Sequence, residues 1–208
     1  MNKTKPAVIN YLVNPFRYIA GNKSLLIGFL SLIVLSIVAY FSNSYFSGAI
    51  GAQYGGAYQH NPYIVHVAQI FAGWLSLCFV MYAMAFVMSK SKIRFIDFAG
   101  TLAISKAPLL GFALFGFIPA VHLNVDFQND YGTLNTLVEN MMENITPAIP
   151  IIIISLVFPI WSIILMYNAY STCSNLKGAK AGISFVAALV IVMIFSRFTD
   201  QWILLLIC

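Results

Sequence analysis

Long apolar runs separated by short polar segments make up most of this chain. Each run has about 17 to 25 residues, the length that crosses the hydrocarbon core of a bilayer as an α-helix. The runs cover residues 25–41, 64–88, 107–123, 147–168 and 182–202. The pattern therefore predicts an all-α fold, a polytopic transmembrane bundle of about five helices.

Composition supports the same fold class. Of the 208 residues, 61% are hydrophobic and 8% are charged, whereas soluble domains contain about 25% charged residues. This difference excludes a soluble globular fold. Residues 1–23 are interpreted as a basic N-terminal arm, and residues 24–208 are predicted to form a single transmembrane domain.

Lysine and arginine residues are concentrated in alternate connecting segments. They occur in the N-terminal arm and in the second and fourth connections, whereas residues 42–63 and 122–146 contain none. By the positive-inside rule, the N-terminus is cytoplasmic and the C-terminus lies outside. Their dispersal over several segments does not match a nucleic-acid-binding surface. The residues predicted to contact anionic lipid headgroups or a partner are Arg17, Lys90, Lys92, Arg94, Lys106, Lys177 and Lys180.

Lys106 interrupts the stretch RFIDFAGTLAISKAPLLGFALF, residues 94–115, and two placements are open to it. If the third span begins near Phe98, the lysine is buried about 12 Å deep and is a candidate ligand for an ion or a headgroup. If the span begins at Ala107, with Pro108 in its first turn, Lys106 reaches the cytoplasmic headgroups. The second placement is favoured because it requires no buried partner for the charge.

Asp97, Thr101 and Ser105 form a polar stripe on one side of the same segment, since helical geometry places them within about 80° of one another. Lys106 lies about 180° from Asp97 and cannot pair with it within this helix. The stripe supports an alternative function, a transporter or channel for a small solute or a lipid. Prolines and glycines interrupt the third and fourth spans, and discontinuous helices can build a midplane site. Such a site requires a polar cavity lined by the stripe or by Asn168.

Arg197 and Asp200 are another pair of ionisable residues close to an apolar run. Their i,i+3 spacing allows an ion pair on one helix face. If the last span ends at Trp202 as an interface anchor, Arg197 reaches the outer headgroups by snorkelling. A helix that continues through the apolar tail, residues 203–208, would draw the pair inward.

The two outer connections differ in composition. Residues 42–63 are rich in glycine and tyrosine, which predicts a flexible loop with aromatic side chains at headgroup level. Between residues 134 and 145, apolar side chains recur at helical spacing within an acidic segment. That spacing predicts a short amphipathic helix on the outer surface. Lipid, a partner and the bundle itself are all open as its packing surface, and the bundle is favoured.

Signatures of catalysis and metal binding are not found. The histidines, His60, His66 and His122, lack metal-ligand spacing, and no common hydrolase or nucleotide-binding motif occurs. No pair of cysteines is well placed for a disulfide. The sequence therefore predicts a protein that is not an enzyme and that has no metal or other cofactor.

Three stretches resemble the membrane domain of the Yip family, the Ypt/Rab-interacting membrane proteins. They are NPFRYI before the first span, FAGTLAISKAPLL in the third, and YNAYSTCSNLKGAKAGISFVAAL joining the last two. The resemblance covers nearly the whole chain and rests on small residues, a proline and an aromatic pattern. It implies five spans with the two termini on opposite sides of the membrane.

Eukaryotic members of that family act in vesicle traffic between endoplasmic reticulum and Golgi, where they bind prenylated Rab GTPases and one another. Without a long region before its first span, this chain is more similar to the short prokaryotic members. The resemblance therefore implies a protein of the bacterial cytoplasmic membrane that acts in membrane organisation or trafficking. Its expected partners are lipids, anionic ones on the cytoplasmic face, and a membrane protein or a second copy of the chain.

Overall fold

A computed structural model describes residues 12–19, 21–55, 61–122 and 145–207. His60 and all but the last residue of the predicted amphipathic helix at 134–145 lie outside the described residues. Single 3-10 turns occur at Pro15–Arg17 and Pro119–Val121. The longer elements are α1 (Asn22–Phe41), β1 (Ser44–Tyr45), β2 (Gln53–Tyr54), α2 (Tyr63–Met88), α3 (Phe95–Ser105), α4 (Leu109–Phe115), α5 (Ala148–Ser155), α6 (Val157–Ser174) and α7 (Gly178–Ile207).

The predicted all-α bundle of five spans is confirmed. Helices α1, α2 and α7 are each long and apolar enough to cross a membrane. The third candidate span combines α3 and α4 over Phe95–Phe115, and the fourth combines α5 and α6 over Ala148–Ser174. The secondary structure therefore follows the apolar runs, with breaks inside two of them.

Prolines account for both breaks. Helix α3 ends at Ser105, and residues 106–108 form a turn, because Pro108 has no N–H to continue the helical ladder. Pro159 lies in the first turn of α6 and cannot donate to the carbonyl of Ser155, where α5 ends. The third and fourth spans are thus discontinuous, although the favoured prediction placed Pro108 in the first turn of the third span and not at a break within it.

The third span begins earlier than the favoured prediction placed it. Helix α3 starts at Phe95, whereas the expected start was Ala107. All residues from Phe98 to Ser105 are buried, and α3 packs against α1, α2 and α6. It is a core helix and not an interfacial one, so Lys106 at its end lies inside the bundle with 1% of its surface exposed.

Small residues bring α1 and α3 into close contact. A Cβ atom at Gly28 would lie 2.5 Å from the Ala103 Cβ atom and 2.8 Å from the Gly100 carbonyl oxygen. Ser24, one turn before Gly28, is fully buried and meets Gly100. Close backbone approach of this kind is a main source of helix association in lipid, where burial of apolar surface contributes little.

The substitution Gly28→Ala is expected to lower the free energy of unfolding in detergent micelles by about 1–3 kcal/mol, because the added methyl group overlaps atoms of α3. Gly182→Ala on α7 is the matched control, since a Cβ atom there meets nothing within 4 Å. The control should be neutral or stabilising, as alanine has the higher helix propensity. Equal stability of the two variants would contradict close packing at this crossing.

Hydrogen bonds join two of the connecting segments at one end of the bundle. Ser89 Oγ donates to the Ser174 carbonyl oxygen at 2.7 Å, and Asn175 Nδ2 donates to Ser91 Oγ at 3.3 Å. This end, called the basic end, carries the loops between α2 and α3 and between α6 and α7. The opposite end, called the far end, carries the segment between α1 and α2 and the segment that follows α4.

Candidate functional site

The segment between α1 and α2 folds back into the bundle as a hairpin. Strand β1 pairs antiparallel with β2, and the residues between the strands form the tip. Tyr45, Phe46 and Ala49 are no more than 5% exposed. The prediction of a flexible loop is therefore wrong for residues 42–55, because they form a paired hairpin whose aromatic side chains pack against protein.

Aromatic contacts attach the two strands to neighbouring helices. Tyr45 stacks on His66 of α2 with ring centroids 4.7 Å apart, and His66 Nδ1 lies 3.1 Å from the Ser44 carbonyl oxygen. Tyr54 stacks on Phe112 of α4 at 4.4 Å, and its hydroxyl donates to the Phe112 carbonyl oxygen at 3.2 Å. The strands therefore have fixed positions, and so does the tip that they carry.

The hairpin tip, residues 46–52, is inserted between α2 and α7. A Cβ atom at Gly73 would overlap the Gly48 carbonyl group, so the backbones of helix and tip touch. Gly73 lies ten residues (63 to 73) after the start of α2 at Tyr63, about 15 Å along the helix axis. On its other side Gly48, with a φ of +62°, lies against Ser196 of α7. The tip therefore reaches deep into the bundle from the far end.

Lys106 supplies hydrogen-bond donors for the hairpin tip. Its Nζ atom donates to the Gly48 carbonyl oxygen at 3.3 Å and to the Ala49 carbonyl oxygen at 3.1 Å. Of the two placements that the sequence allowed, the structure has the buried one. The hydrogen-bond partners of the lysine are backbone carbonyl groups, whereas an ion or a lipid headgroup was the expected partner for this placement.

Asp200 engages the same turn from α7. The Gly48 amide is a hydrogen-bond partner of its carboxylate, and the Lys106 ammonium group attracts that carboxylate electrostatically. The Asp200 side chain is 8% exposed, and its Oδ1 atom is buried without a hydrogen-bond partner. Lys106 and Asp200 therefore hold Gly48 through its carbonyl and its amide respectively.

Irregular backbone at this depth requires such partners. An unsatisfied N–H or C=O group in hydrocarbon costs several kcal/mol, and non-helical segments are tolerated only where protein buries them or a polar cavity is present. A buried ammonium group likewise requires acceptors and an opposite charge. The backbone groups of the hairpin tip and the charged side chains of Lys106 and Asp200 are hydrogen-bond partners of one another. This pairing explains why a lysine occurs in the third apolar run.

A cavity of about 240 Å³ lies beside the hairpin tip. Its polar lining comes from the tip, β2 and α7: Ser47, Gln53, Ser196, Arg197 and Asp200. Arg197 is exposed, and its charge attracts the Asp200 carboxylate. The two residues that the sequence proposed as an ion pair share this cavity, but no ion pair joins them among the described residues.

The polar stripe on α3 contacts neighbouring helices. Asp97 Oδ1 accepts a hydrogen bond from the N-cap amide of α1 at 3.1 Å. Thr101 Oγ1 donates to the Asp97 carbonyl oxygen at 2.7 Å and lies 3.4 Å from Cys173 Sγ on α6. The Ser105 carbonyl oxygen accepts from Ser162 Oγ at 2.8 Å. The stripe thus joins α3 to α1 and α6, and other residues line the cavity beside the hairpin tip.

The predicted headgroup contacts separate into two locations. Five of them are exposed at the basic end: Lys90, Lys92, Arg94, Lys177 and Lys180. Lys106 is buried at the hairpin tip, and the side chain of Arg17 lies outside the described part of the chain. Because hydrogen bonds join the two loops of the basic end, the five exposed residues lie on one surface.

The histidines with described side chains contact backbone carbonyl groups. One ring nitrogen of His122 lies 2.8 Å from the Gly55 oxygen, and the other lies 2.6 Å from the Gly116 oxygen. These contacts hold the segment after α4 against β2. Within the described ranges, no group of three His, Cys, Asp or Glu side chains is placed to hold a metal ion.

Gly48, Ala49 and Gly73 belong to this site and were not identified from the sequence. Glycine-rich composition around residue 48 was interpreted as flexibility, although glycine also permits the positive φ and the close approach that a buried turn requires. A second signal was a lysine without a partner on its own helix. Connecting the two signals required the tertiary structure.

Comparison with known proteins supplies a family. A family model described as the Yip1 domain matches residues 9–197. No curated protein and no solved structure matches the chain. The matched range contains the hairpin, Lys106 and both loops of the basic end.

Proposed function

We propose that this chain, which belongs to the Yip1 domain family, acts without catalysis through contacts between its basic end and anionic lipids. Five apolar helical segments and the family match make it an integral multi-pass membrane protein. The positive-inside rule places the basic end in the cytoplasm, and the proposed location is the bacterial cytoplasmic membrane. The proposed role is of the membrane-organising or trafficking type, exerted through lipids and through a membrane-protein partner or a second copy.

The joining of two basic loops carries this proposal. Ser89 and Ser174 are hydrogen-bonded across the loops, so lysines from separate parts of the sequence lie on one surface. Each basic residue near an anionic leaflet contributes about 1 kcal/mol of attraction. Asp97, an acidic residue at this end, is partly buried and accepts the α1 amide, and its single negative charge is outnumbered by the five exposed positive charges.

Neutralising the basic end should remove anionic lipid. A variant with Lys90, Lys92, Arg94, Lys177 and Lys180 all replaced by glutamine is equilibrated in nanodiscs that contain phosphatidylglycerol and phosphatidylcholine in equal amounts. Bound lipids are then counted by native mass spectrometry. Bound phosphatidylglycerol is expected to fall by about tenfold or more, because several contributions of about 1 kcal/mol are lost together.

The matched control is a charge-conserving variant, in which the four lysines are replaced by arginine and Arg94 by lysine, because it changes the same five positions without removing their charge. It should change phosphatidylglycerol binding by less than about twofold, since the attraction depends on the charges. Unchanged phosphatidylglycerol binding in the five-residue variant, with a wild-type thermal midpoint, would overturn the proposal.

The transport alternative has less support from the contacts of its predicted residues. Asp97, Thr101 and Ser105 are engaged with α1 and α6. Asn168 Nδ2 donates to the Val13 carbonyl oxygen at 2.8 Å. These hydrogen bonds favour a packing role for the stripe over a role in transport.

A further inference from the structure

The cavity beside the hairpin tip has the dimensions of a small ligand site at the far end. Its volume is about 240 Å³. A water molecule takes up about 30 Å³ in the liquid, so the cavity accommodates a group of several heavy atoms and is large for a bare ion. Arg197 and Asp200 are the charged residues in its lining.

Asp200 requires a hydrogen-bond donor from such a ligand. Its carboxylate has the Gly48 amide as one partner, while Oδ1 is buried and has none. Lys106 donates to the carbonyl oxygens of Gly48 and Ala49 and not to Oδ1. A buried carboxylate oxygen without a donor is unfavourable, and a cationic N–H group is the strongest donor that a ligand could present to it.

Arg197, on the same face of α7, is a cation that can bind a negatively charged group of the ligand. Its side chain is exposed and lines the same cavity. Guanidinium groups bind phosphate oxygens through paired hydrogen bonds. Residues three apart on a helix have Cβ atoms about 5–6 Å from each other. This spacing suits a ligand whose ammonium group is a few bonds from its phosphate.

The surroundings of the cavity favour a membrane lipid as the source of that ligand. Ile50 and Met193 add apolar surface to the lining. Helix α7 continues past Trp202 to Ile207, as in the alternative that extends the last helix into the apolar tail. Its residues Ile194, Phe198 and Trp202 are 59%, 60% and 64% exposed, as expected for a helix that faces hydrocarbon. Acyl chains can therefore lie along α7 while a headgroup enters the cavity.

We propose that this cavity binds the headgroup of a phosphatidylethanolamine-type lipid. The ammonium group donates to Asp200 Oδ1, and the phosphate accepts from Arg197. Phosphatidylcholine is excluded from the first contact because its trimethylammonium group has no N–H, and phosphatidylglycerol is excluded because it has no ammonium group for Asp200 to attract. The site does not depend on the anionic-lipid surface at the basic end.

A methylation series tests the ammonium contact. The full chain is equilibrated in nanodiscs with equal amounts of phosphatidylethanolamine, its N-methyl and N,N-dimethyl derivatives and phosphatidylcholine, all with the same acyl chains. Retained lipids are counted by native mass spectrometry. Retention is expected to fall by about tenfold at the last methylation, where the remaining N–H is lost, because one charge-assisted hydrogen bond disappears.

Substitutions in the cavity separate the two contacts. Asp200→Asn preserves shape and removes the charge, so phosphatidylethanolamine retention should fall to the level of phosphatidylcholine. Arg197→Gln should lower retention of all four lipids at this site, and Arg197→Lys should restore part of it. Phosphatidylglycerol binding at the basic end should be unchanged in each, which distinguishes failure of this site from failure of the proposed function.

Three results would overturn the inference. Equal retention of phosphatidylethanolamine and phosphatidylcholine by the wild type would exclude the ammonium contact. Loss of phosphatidylglycerol alone in Arg197→Gln would indicate an anion site. Displacement of the lipid by millimolar glycerophosphoethanolamine would indicate a soluble zwitterion. If Asp200→Asn does not fold, the methylation series on the wild type and on Arg197→Gln still decides the question.

Discussion

Replacing Lys106 with methionine is expected to lower the free energy of unfolding in detergent micelles by about 3–5 kcal/mol, the cost of breaking a buried charge pair. The substitution keeps the apolar stem and removes the ammonium group. The carbonyl oxygens of Gly48 and Ala49 then lose the donor that Lys106 provides, and Asp200 loses a nearby opposite charge. The loss is measured as a shift of the unfolding midpoint.

Lys92→Met is the matched control, because Lys92 is exposed at the basic end and should contribute within about 0.5 kcal/mol. The double variant Lys106→Met with Asp200→Asn should lose less than the sum of the two single losses, since neither charge then remains buried alone. Additive losses would contradict the coupling of Lys106 to Asp200. A Lys106→Met variant as stable as Lys92→Met would contradict the buried placement altogether.

Gly73→Leu is expected to displace the hairpin tip and to destabilise the bundle by a comparable amount, about 3–5 kcal/mol. The added side chain would occupy the position of the Gly48 carbonyl group. The backbone of the hairpin tip can leave that position only by moving out of the space between α2 and α7. Lys106 then loses its acceptors and remains as an unpaired buried charge. The substitution therefore combines an overpacking cost with an electrostatic one.

Cysteine labelling detects the displacement directly. Cys78 on α2 is fully buried and lies close to Lys106. In a background with Cys173→Ser and Cys208→Ser, maleimide should label Cys78 slowly in the otherwise unchanged chain and faster in Gly73→Leu. Gly182→Leu is the matched control, since a Cβ atom at residue 182 meets nothing within 4 Å. Equally slow labelling of both variants would show that the tip does not lie against Gly73.

Helix number and position could be predicted because they depend on local composition. A run of about 20 apolar residues can satisfy its backbone in lipid only by forming a helix. Four of the five runs correspond closely to candidate spans, whereas the third span begins at Phe95, before its predicted start at Ala107. The breaks near Pro108 and Pro159 were also predictable, since a missing N–H interrupts a helix wherever it occurs.

The basic end illustrates a partial prediction. Charge alternation grouped Lys90, Lys92 and Lys177 on one side of the membrane without any knowledge of packing. Their arrangement on one surface depends on the hydrogen bond between Ser89 and Ser174, residues 85 positions apart. Local sequence patterns do not indicate contacts between residues so far apart in the chain.

Lys106 shows most clearly where the sequence reasoning stopped. Helical geometry established that the lysine could not pair with Asp97, and the bilayer penalty then favoured an interfacial position. The hydrogen-bond acceptors of the Lys106 ammonium group are carbonyl groups 57 and 58 positions away, in a segment that was interpreted as flexible. Backbone carbonyls are present at every residue, so their availability cannot be inferred from residue identity.

By itself, the sequence determined the class of this protein, the number of its spans and the approximate extent of four of them, and the distribution of charge between its two ends, because each depends on residues that are close together in the chain. The tertiary structure decided that residues 42–55 enter the bundle, that Lys106 and Asp200 bind the hairpin tip, and that Arg197 shares a cavity with Asp200. These features depend on contacts between distant segments, where buried polar groups must find one another because neither lipid nor water is available to them.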